Sequence, residues 1–266
     1  MRKFSSYAER TTSCPTWRYG TVRPKRRAGG AEARLCCYMA SLQARLTTKE
    51  YWDQRYTLDP EPFDWYQRYG TCKPYRELVK RHISPSDQIL LLGAGSSRLG
   101  EEMYADKYRS ICNVDFSSTC VRLLNERYRE LNQSRPDDDK MSIENAVMDV
   151  RQMEFSDGSF DAALDKTTLD VIMVGESAAE NASKYLKEVA RVLRPSSVFL
   201  LLSSGDAEQR TKLLQNASYG WTVTKFAVSK PTIRGQNAAN LPVSADVGGG
   251  NVHHLFVCTK GNRAVR

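Results

Sequence analysis

The most constraining feature of this chain is residues 89–100, which read Ile-Leu-Leu-Leu-Gly-Ala-Gly-Ser-Ser-Arg-Leu-Gly. A continuous aliphatic run, then Gly93-Ala-Gly95, then a helix-like segment is the pattern of a strand buried on both faces, a tight turn and a helix. Twenty residues after Gly95, Asp115 closes a second apolar run, Ile111-Cys-Asn-Val-Asp115. A buried parallel strand, a turn that lets a ligand approach the backbone, and an acid able to hold ribose hydroxyls together describe a nucleoside-cofactor site.

The rest of the chain supplies the layers such a sheet needs. Thr47-Thr48-Lys-Glu50 has the form of a capping box and predicts a short helix through Tyr56. A second helix is expected over Lys73–His82, stopped by Ser84-Pro85. Strands are expected at Gln88–Leu92, 110–114, 143–148, 160–164 and 198–202, with helices over 99–108, from Ser117 or Ser118 to about 131, and over 182–193. Residues 220–228 and 253–259 read as two further strands with no helix between them. The segment 229–251, with four glycines and two prolines, reads as a binding loop, lid or insertion. The fold class expected is α/β: a Rossmann-like seven-stranded, mostly parallel sheet with an antiparallel C-terminal hairpin and helices on both faces.

The net charge of +8 is not spread over the chain. Residues 1–46 carry ten Lys/Arg and two acids, which leaves 29 of each sign for the remainder. A balanced body offers no broad phosphate-binding face, so no nucleic-acid partner is expected. The domain division follows: 1–46 is a basic, disordered leader and possible transit peptide, and 47–266 a single catalytic-type domain. The leader leaves two compartments open, cytoplasmic or mitochondrial. No apolar run approaches the roughly 20 residues of a membrane span. Seven cysteines without a Cys-x-x-Cys pair read as reduced thiols, and three histidines without ligand spacing predict no metal.

The glycine turn is short of a dinucleotide fingerprint, because the third small position is Arg98. No Gly-Lys-Ser/Thr follows, which excludes a Walker A loop. A short Gly-x-Gly turn suits a nucleoside without a pyrophosphate, and S-adenosylmethionine is the natural candidate, with S-adenosylhomocysteine as product. Asp115 is then the ribose acceptor, or simply a helix N-cap. Asp149 and Val150 would meet the adenine through a carboxylate and a backbone N–H, or Asp149 is a loop acid before Arg151. Lys166 would pair with a methionine carboxylate, or structurally with Asp165 or Asp170. The aromatic-rich stretch 51–69 packs a helix on the sheet or covers the cofactor edge.

Several motifs occur in an order that is similar to a known family: Glu50-Tyr-Trp-Asp-Gln-Arg-Tyr56, Phe63-Asp-Trp65, Leu92-Gly-Ala-Gly-Ser-Ser97, Val114-Asp-Phe-Ser117, Met148-Asp-Val-Arg151, Leu164-Asp-Lys-Thr-Thr-Leu-Asp170 and Glu188-Val-Ala-Arg-Val-Leu193. Over about residues 48–260 the chain resembles class I S-adenosylmethionine-dependent methyltransferases. It is most similar to the elongation factor 1-alpha lysine methyltransferases, and is also similar to the citrate synthase lysine methyltransferase. The resemblance implies cofactor contacts at Trp52, Tyr56, Trp65, Gly93, Asp115, Phe116, Asp149, Val150 and Lys166, with Gly95 of the same turn beside them. Thr167 stands where the family usually has glycine, which adds a side chain beside the reactive edge.

The function expected is methyl transfer to a lysine of a partner protein, translation elongation factor 1-alpha or one like it, by a monomer. A small-molecule methyltransferase and a non-catalytic partner protein of the same fold are the alternatives. Asp165 and Asp170 are candidates for orienting the acceptor. Neither Asn/Asp-Pro-Pro-Tyr nor a Pro-Cys pair follows strand four, which argues against adenine-amino and cytosine-C5 acceptors.

Overall fold

Seven strands, β1 (Gln88–Leu92), β2 (Ser110–Asp115), β3 (Glu144–Val147), β4 (Phe160–Lys166), β5 (Leu193–Ser203), β6 (Trp221–Ser229) and β7 (Val252–Lys260), form one sheet in the order β3-β2-β1-β4-β5-β7-β6. This computed structural model describes residues 45–175, 177–230 and 251–261. The first five strands run parallel, and β7 inserts antiparallel between β5 and β6. The expected mixed sheet is thus present, with its hairpin entering the sheet through the later strand.

Alternation along the strands builds two cores. Ile89 and Leu91 face one side with Trp52, Tyr75, Leu99 and Leu124, contributed by α1 (Lys49–Leu58), α2 (Lys73–His82), α3 (Leu99–Ala105) and α4 (Ser118–Gln133). Leu90 and Leu92 face the other with Tyr185, Leu186 and Val189 of α6 (Ala178–Val192) and Leu214 of α7 (Ala207–Leu214). Between β4 and α6 lies a five-residue helix, α5 (Thr168–Ile172). A strand covered on both faces has no polar side to show, which explains the unbroken aliphatic sequence of β1.

Several expected boundaries move, for local reasons. Thr48, rather than Thr47, caps α1, accepting from the Tyr51 N–H. α3 stops at Ala105 rather than 108, because Lys107 takes a positive φ of 75° and turns the chain so that the Tyr108 hydroxyl donates to the Ile83 carbonyl. α6 starts at Ala178, a turn earlier than expected, and ends at Val192, one residue short of the expected 193, and residues 193–197 open β5 through an irregular register. β4 runs two residues further than expected, so Asp165 and Lys166 are its last two positions, paired with Leu201 and Leu202. α5 and α7 were not expected. α7 has few apolar positions, although its N-cap is legible: the Asp206 carboxylate accepts from the Gln209 N–H at 2.8 Å.

The basic leader expected over 1–46 lies outside the described residues apart from residues 45 and 46, and so does most of the 229–251 loop. Among the described residues no helix is long and apolar enough to cross a membrane. The four described cysteines, Cys72, Cys112, Cys120 and Cys258, are free.

Phe199 sits fully buried in β5, edge-on to Tyr185 and tilted against Trp221. Phe199→Ala is expected to cost about 3–5 kcal/mol of folding stability through lost burial and the cavity left behind. Urea unfolding followed by circular dichroism measures it.

Candidate active site

The strand order reverses direction at β1: the chain proceeds outward through β2 and β3, then returns to β4 on the other side. Loops leaving the carboxyl ends of β1 and β4 diverge there and open a crevice, the usual ligand position in an open α/β sheet. Two turns form its floor. Gly93 and Gly95 take φ of +59° and +56°, a region side chains disfavour. A Cβ on Gly93 would lie 2.2 Å from the Thr168 Oγ1, and one on Gly95 would lie 3.1 Å from the Tyr56 hydroxyl. Thr168 in turn donates its hydroxyl to the Leu92 carbonyl at 2.8 Å, tying the β4 turn to the β1 turn.

All ten residues expected to contact a cofactor line this one crevice: Trp52, Tyr56, Trp65, Gly93, Gly95, Asp115, Phe116, Asp149, Val150 and Lys166. Asp115 ends β2 and is 5% exposed. Its carboxylate accepts the Gly95 and Ser117 N–H groups, each at 2.9 Å. The N-cap of α4 is Ser117, not Asp115, since Ser117 Oγ accepts from the Cys120 N–H. Burial pushes the Asp115 carboxyl up to about 6, against the opposing pull of those two N–H groups.

Trp52 and Tyr56 stand one turn apart on α1, both buried, with ring centroids 5.7 Å apart. Ser117 Oγ donates to Asp53 at 2.5 Å and the Thr119 N–H donates to it at 3.1 Å, so α1 is stapled onto the start of α4. Trp65 lies edge-on to Phe63 at 5.0 Å. The aromatic stretch therefore both packs on the sheet and walls the crevice.

Asp149 lines the crevice while being gripped by Arg151, whose Nη2 and Nε donate to it at 2.7 and 3.1 Å. The loop-acid alternative thus has a partner in place, and Arg151 also fixes where the carboxylate points. Lys166 pairs with neither Asp165 nor Asp170. Its ammonium donates to Asp64 at 2.8 Å and to the Trp65 carbonyl at 3.3 Å. Burial pulls the Lys166 pKa below its ordinary value, and the Asp64 carboxylate opposes that pull.

Asp165 and Asp170 are not brought to the crevice wall. Asp165, 1% exposed, accepts the Thr168 and Leu169 N–H groups and the Tyr185 hydroxyl, which anchors the first turn of α5. Burial pushes its carboxyl up to about 7. Asp170 accepts from the Tyr66 hydroxyl, the Ser203 hydroxyl, the Ser204 N–H and the Arg210 guanidinium. Both candidates for orienting the acceptor thus have structural partners, and neither lines the crevice.

Sequence reasoning missed Asp64, Arg55, Ser96, Asn181 and Thr168. Asp64 had a local signal, an acid inside the Phe63-Asp-Trp65 motif. Arg55 lines the rim and pairs with Asp59 at 2.8 Å; it follows Trp52 by three positions on one helix. Asn181 accepts from Arg151 at 3.1 Å across 30 residues, which no local pattern reveals.

Thr167 is a further conformational outlier, one of four described non-glycine residues at positive φ. It is a β-branched residue at φ +89°, a region that costs such a residue of order 1–2 kcal/mol. Its N–H donates to the Leu202 carbonyl and its carbonyl accepts the Val171 N–H, so backbone bonds on both sides hold it there.

The donor set suits a nucleoside bearing a cation. One buried carboxylate faces the crevice, the glycine backbones allow close approach, and Trp52, Tyr56, Trp65 and Phe116 offer aromatic faces.

Comparison with known proteins agrees with this chemistry. A methyltransferase-domain family model matches residues 90–201. The EEF1A lysine methyltransferase 4 of Bos taurus is 34% identical over 184 residues, covering 65% of this chain and 68% of that protein. The Mus musculus protein of that name is 32% identical over the same shares. The eEF1A lysine and N-terminal methyltransferase of Xenopus laevis is 35% identical, and the chain spans 24% of its length. Among solved structures, a SAM-dependent methyltransferase of Methanosarcina mazei aligns over 76% of this chain and 100% of its own, with TM-score 0.52 and 17% identity. The Burkholderia thailandensis 1,6-didemethyltoxoflavin-N1-methyltransferase, solved with S-adenosylhomocysteine, aligns over 90% and 94% at TM-score 0.51 and 15% identity. These two show the fold.

Two outcomes follow from the geometry. Gly93→Ala drives a Cβ into Thr168 at a disfavoured φ and is expected to cost at least about 2 kcal/mol, read as a lower thermal midpoint. Asp170→Ala leaves the buried Arg210 unpaired and is expected to cost about 3–5 kcal/mol in chemical denaturation. An undiminished stability would return Asp170 to the acceptor-orienting role.

Proposed function

The chain belongs to the S-adenosylmethionine-dependent methyltransferases of the family that includes the EEF1A lysine methyltransferases, and from this premise we propose that its acceptor is a lysine side chain of another protein. The observation that carries the acceptor class is the 34% identity, over 65% of this chain and 68% of the relative, to a protein named for methylating lysine on EEF1A. EEF1A or a protein like it is the acceptor this reading favours. The electrically balanced body, which offers no broad phosphate-binding face, and the lack of an Asn/Asp-Pro-Pro-Tyr motif after β4 support a protein over a nucleic acid.

In this reading Asp115 accepts both ribose hydroxyls, Val150 offers its N–H and Asp149 its carboxylate to the adenine, and Trp52, Tyr56, Trp65 and Phe116 wall the nucleoside and the cationic sulfur. When bound, S-adenosylmethionine supplies a methyl group already activated by the sulfonium. The protein's residues contribute position and exclusion of water rather than a nucleophile. Lys166, held by Asp64 and the Trp65 carbonyl, ties the aromatic cover to the end of β4 and fixes that wall. An incoming lysine must present a neutral amine. A lysine reaches that form by giving its proton to bulk water at the mouth of the crevice. With the donor held by Asp115, Asp149, Val150 and the aromatic wall, these residues would position its activated methyl for transfer to that neutral amine, the sulfur keeping the bonding pair.

Incubation with tritiated S-adenosylmethionine and cell extract is expected to label one or a few proteins and to yield methyllysine on hydrolysis. Label confined to nucleic acid or to small molecules contradicts the acceptor class. The ribose contact has a pH signature. The Asp115 pKa is raised to about 6 in the ligand-free fold, and hydroxyl donors need the ionised form. Affinity for S-adenosylhomocysteine is therefore full above pH 7 and falls by up to about tenfold per pH unit below 6. Calorimetry between pH 5 and 8 measures it. Asp115→Asn removes the charge and is expected to weaken binding about 10- to 100-fold at neutral pH.

A further inference from the structure

Thr167 has no assigned part in holding the cofactor, yet it occupies the point where an acceptor must arrive. Asp115 and Asp149 lie at the ends of β2 and just beyond β3, on one side of β1. A nucleoside held there, as the proposed function has it, would turn its reactive end toward the other side, the end of β4. The residues of that end on the crevice wall are Lys166, Thr167 and Thr168. Lys166 is committed to Asp64 and the Trp65 carbonyl, and Thr168 to the Leu92 carbonyl. Thr167 differs from both: it lines the crevice though it is largely buried, and among the described residues no hydrogen bond engages its hydroxyl.

Its backbone makes the side chain more telling. At φ +89° glycine is free of strain and a β-branched residue is not. The strain persists because the Leu202 carbonyl and the Val171 N–H fix the main chain from both directions. A strained residue on a ligand wall, held by its surroundings, is the kind of outlier from which a role can be inferred.

We propose that Thr167 sets the size of the acceptor nitrogen, and so limits how many methyl groups the enzyme adds. The proposal rests on the protein-lysine reading of this site. The Cβ branch takes up room beside the transferred methyl, and each methyl already on the nitrogen demands more of that room. The barrier therefore rises with each round, while the ribose and adenine contacts proposed at Asp115, Asp149 and Val150, on the other side of β1, are left alone.

The test compares the wild-type chain with Thr167→Gly, Thr167→Ala and Thr167→Val, given heat-treated cell extract and deuterated S-adenosylmethionine in excess. Acid hydrolysis and mass spectrometry then count deuterated mono-, di- and trimethyllysine. Wild type is expected to stall at a lower state. Thr167→Gly raises the next state relative to it by about tenfold, Thr167→Ala falls between, and Thr167→Val, which keeps the branch, stalls as wild type does. Calorimetry with S-adenosylhomocysteine is expected to give the same Kd for all four within about threefold. A common distribution of methyllysines in all four overturns the gate and leaves the lysine reading intact. A wild-type enzyme that runs to trimethyllysine also overturns the gate. Loss of S-adenosylhomocysteine binding in Thr167→Gly with a retained thermal midpoint assigns Thr167 to the cofactor and contradicts the proposal. Absence of methyllysine from every variant overturns the lysine reading and the gate with it.

Discussion

The site depends on one interlock, where the turn after β1 meets the turn after β4. Thr168 reaches across to the Leu92 carbonyl, and its side chain fills the space a Cβ on Gly93 would need. Two parallel strands that part company at a switch point leave their exits free to splay; this contact holds them together. With the turns locked, the Gly95 N–H points at Asp115, and Asp115 in turn receives the Ser117 N–H at the start of α4. A few hydrogen bonds thus fix β1, β2, β4 and α4 around one crevice, so a ligand meets a prepared surface rather than ordering it on arrival.

Buried charge around this crevice is settled by pairing. Lys166 has Asp64, Asp170 has Arg210, and Asp165 holds the first turn of α5 together with Tyr185. Ions taken out of water demand such partners, and removing one leaves the other exposed to the full penalty. Asp115 is the exception that gives function its opening. It receives two backbone N–H bonds and a side-chain hydrogen bond from Cys120, carries a pKa raised by burial, and lines the crevice, where the proposed function gives its remaining lone pairs to a diol. Methyl transfer from an activated donor asks for little more than position, and the structure supplies position.

The reach of the sequence followed the range of the interactions. The strand-and-turn at residues 88–95, the end of β2 at Asp115 and α2 at Lys73–His82 were legible because each is dictated by neighbours within a few residues. All ten residues expected to contact a cofactor fell on one crevice because each follows a strand end or belongs to a local motif. The structural partner of Lys166 was not legible, since Asp64 lies 102 residues away, and the alternative of pairing with the nearer Asp165 or Asp170 does not hold. Asp165 and Asp170 looked like chemistry in the sequence because buried structural carboxylates and reactive ones share the same letters. α7 escaped for a different reason: its buried Arg210 answers to Asp170 rather than to an apolar stripe. The left-handed Thr167 could not be foreseen, because threonine at a strand end reads as extended backbone.

The most direct measurement of the account is a crystal structure with S-adenosylhomocysteine bound. It should place both ribose hydroxyls on the Asp115 carboxylate, the adenine beside Asp149 and Val150, and the sulfur facing Thr167 at the end of β4. A ligand bound in the reverse direction, or one that leaves Asp115 without a ribose contact, would contradict it.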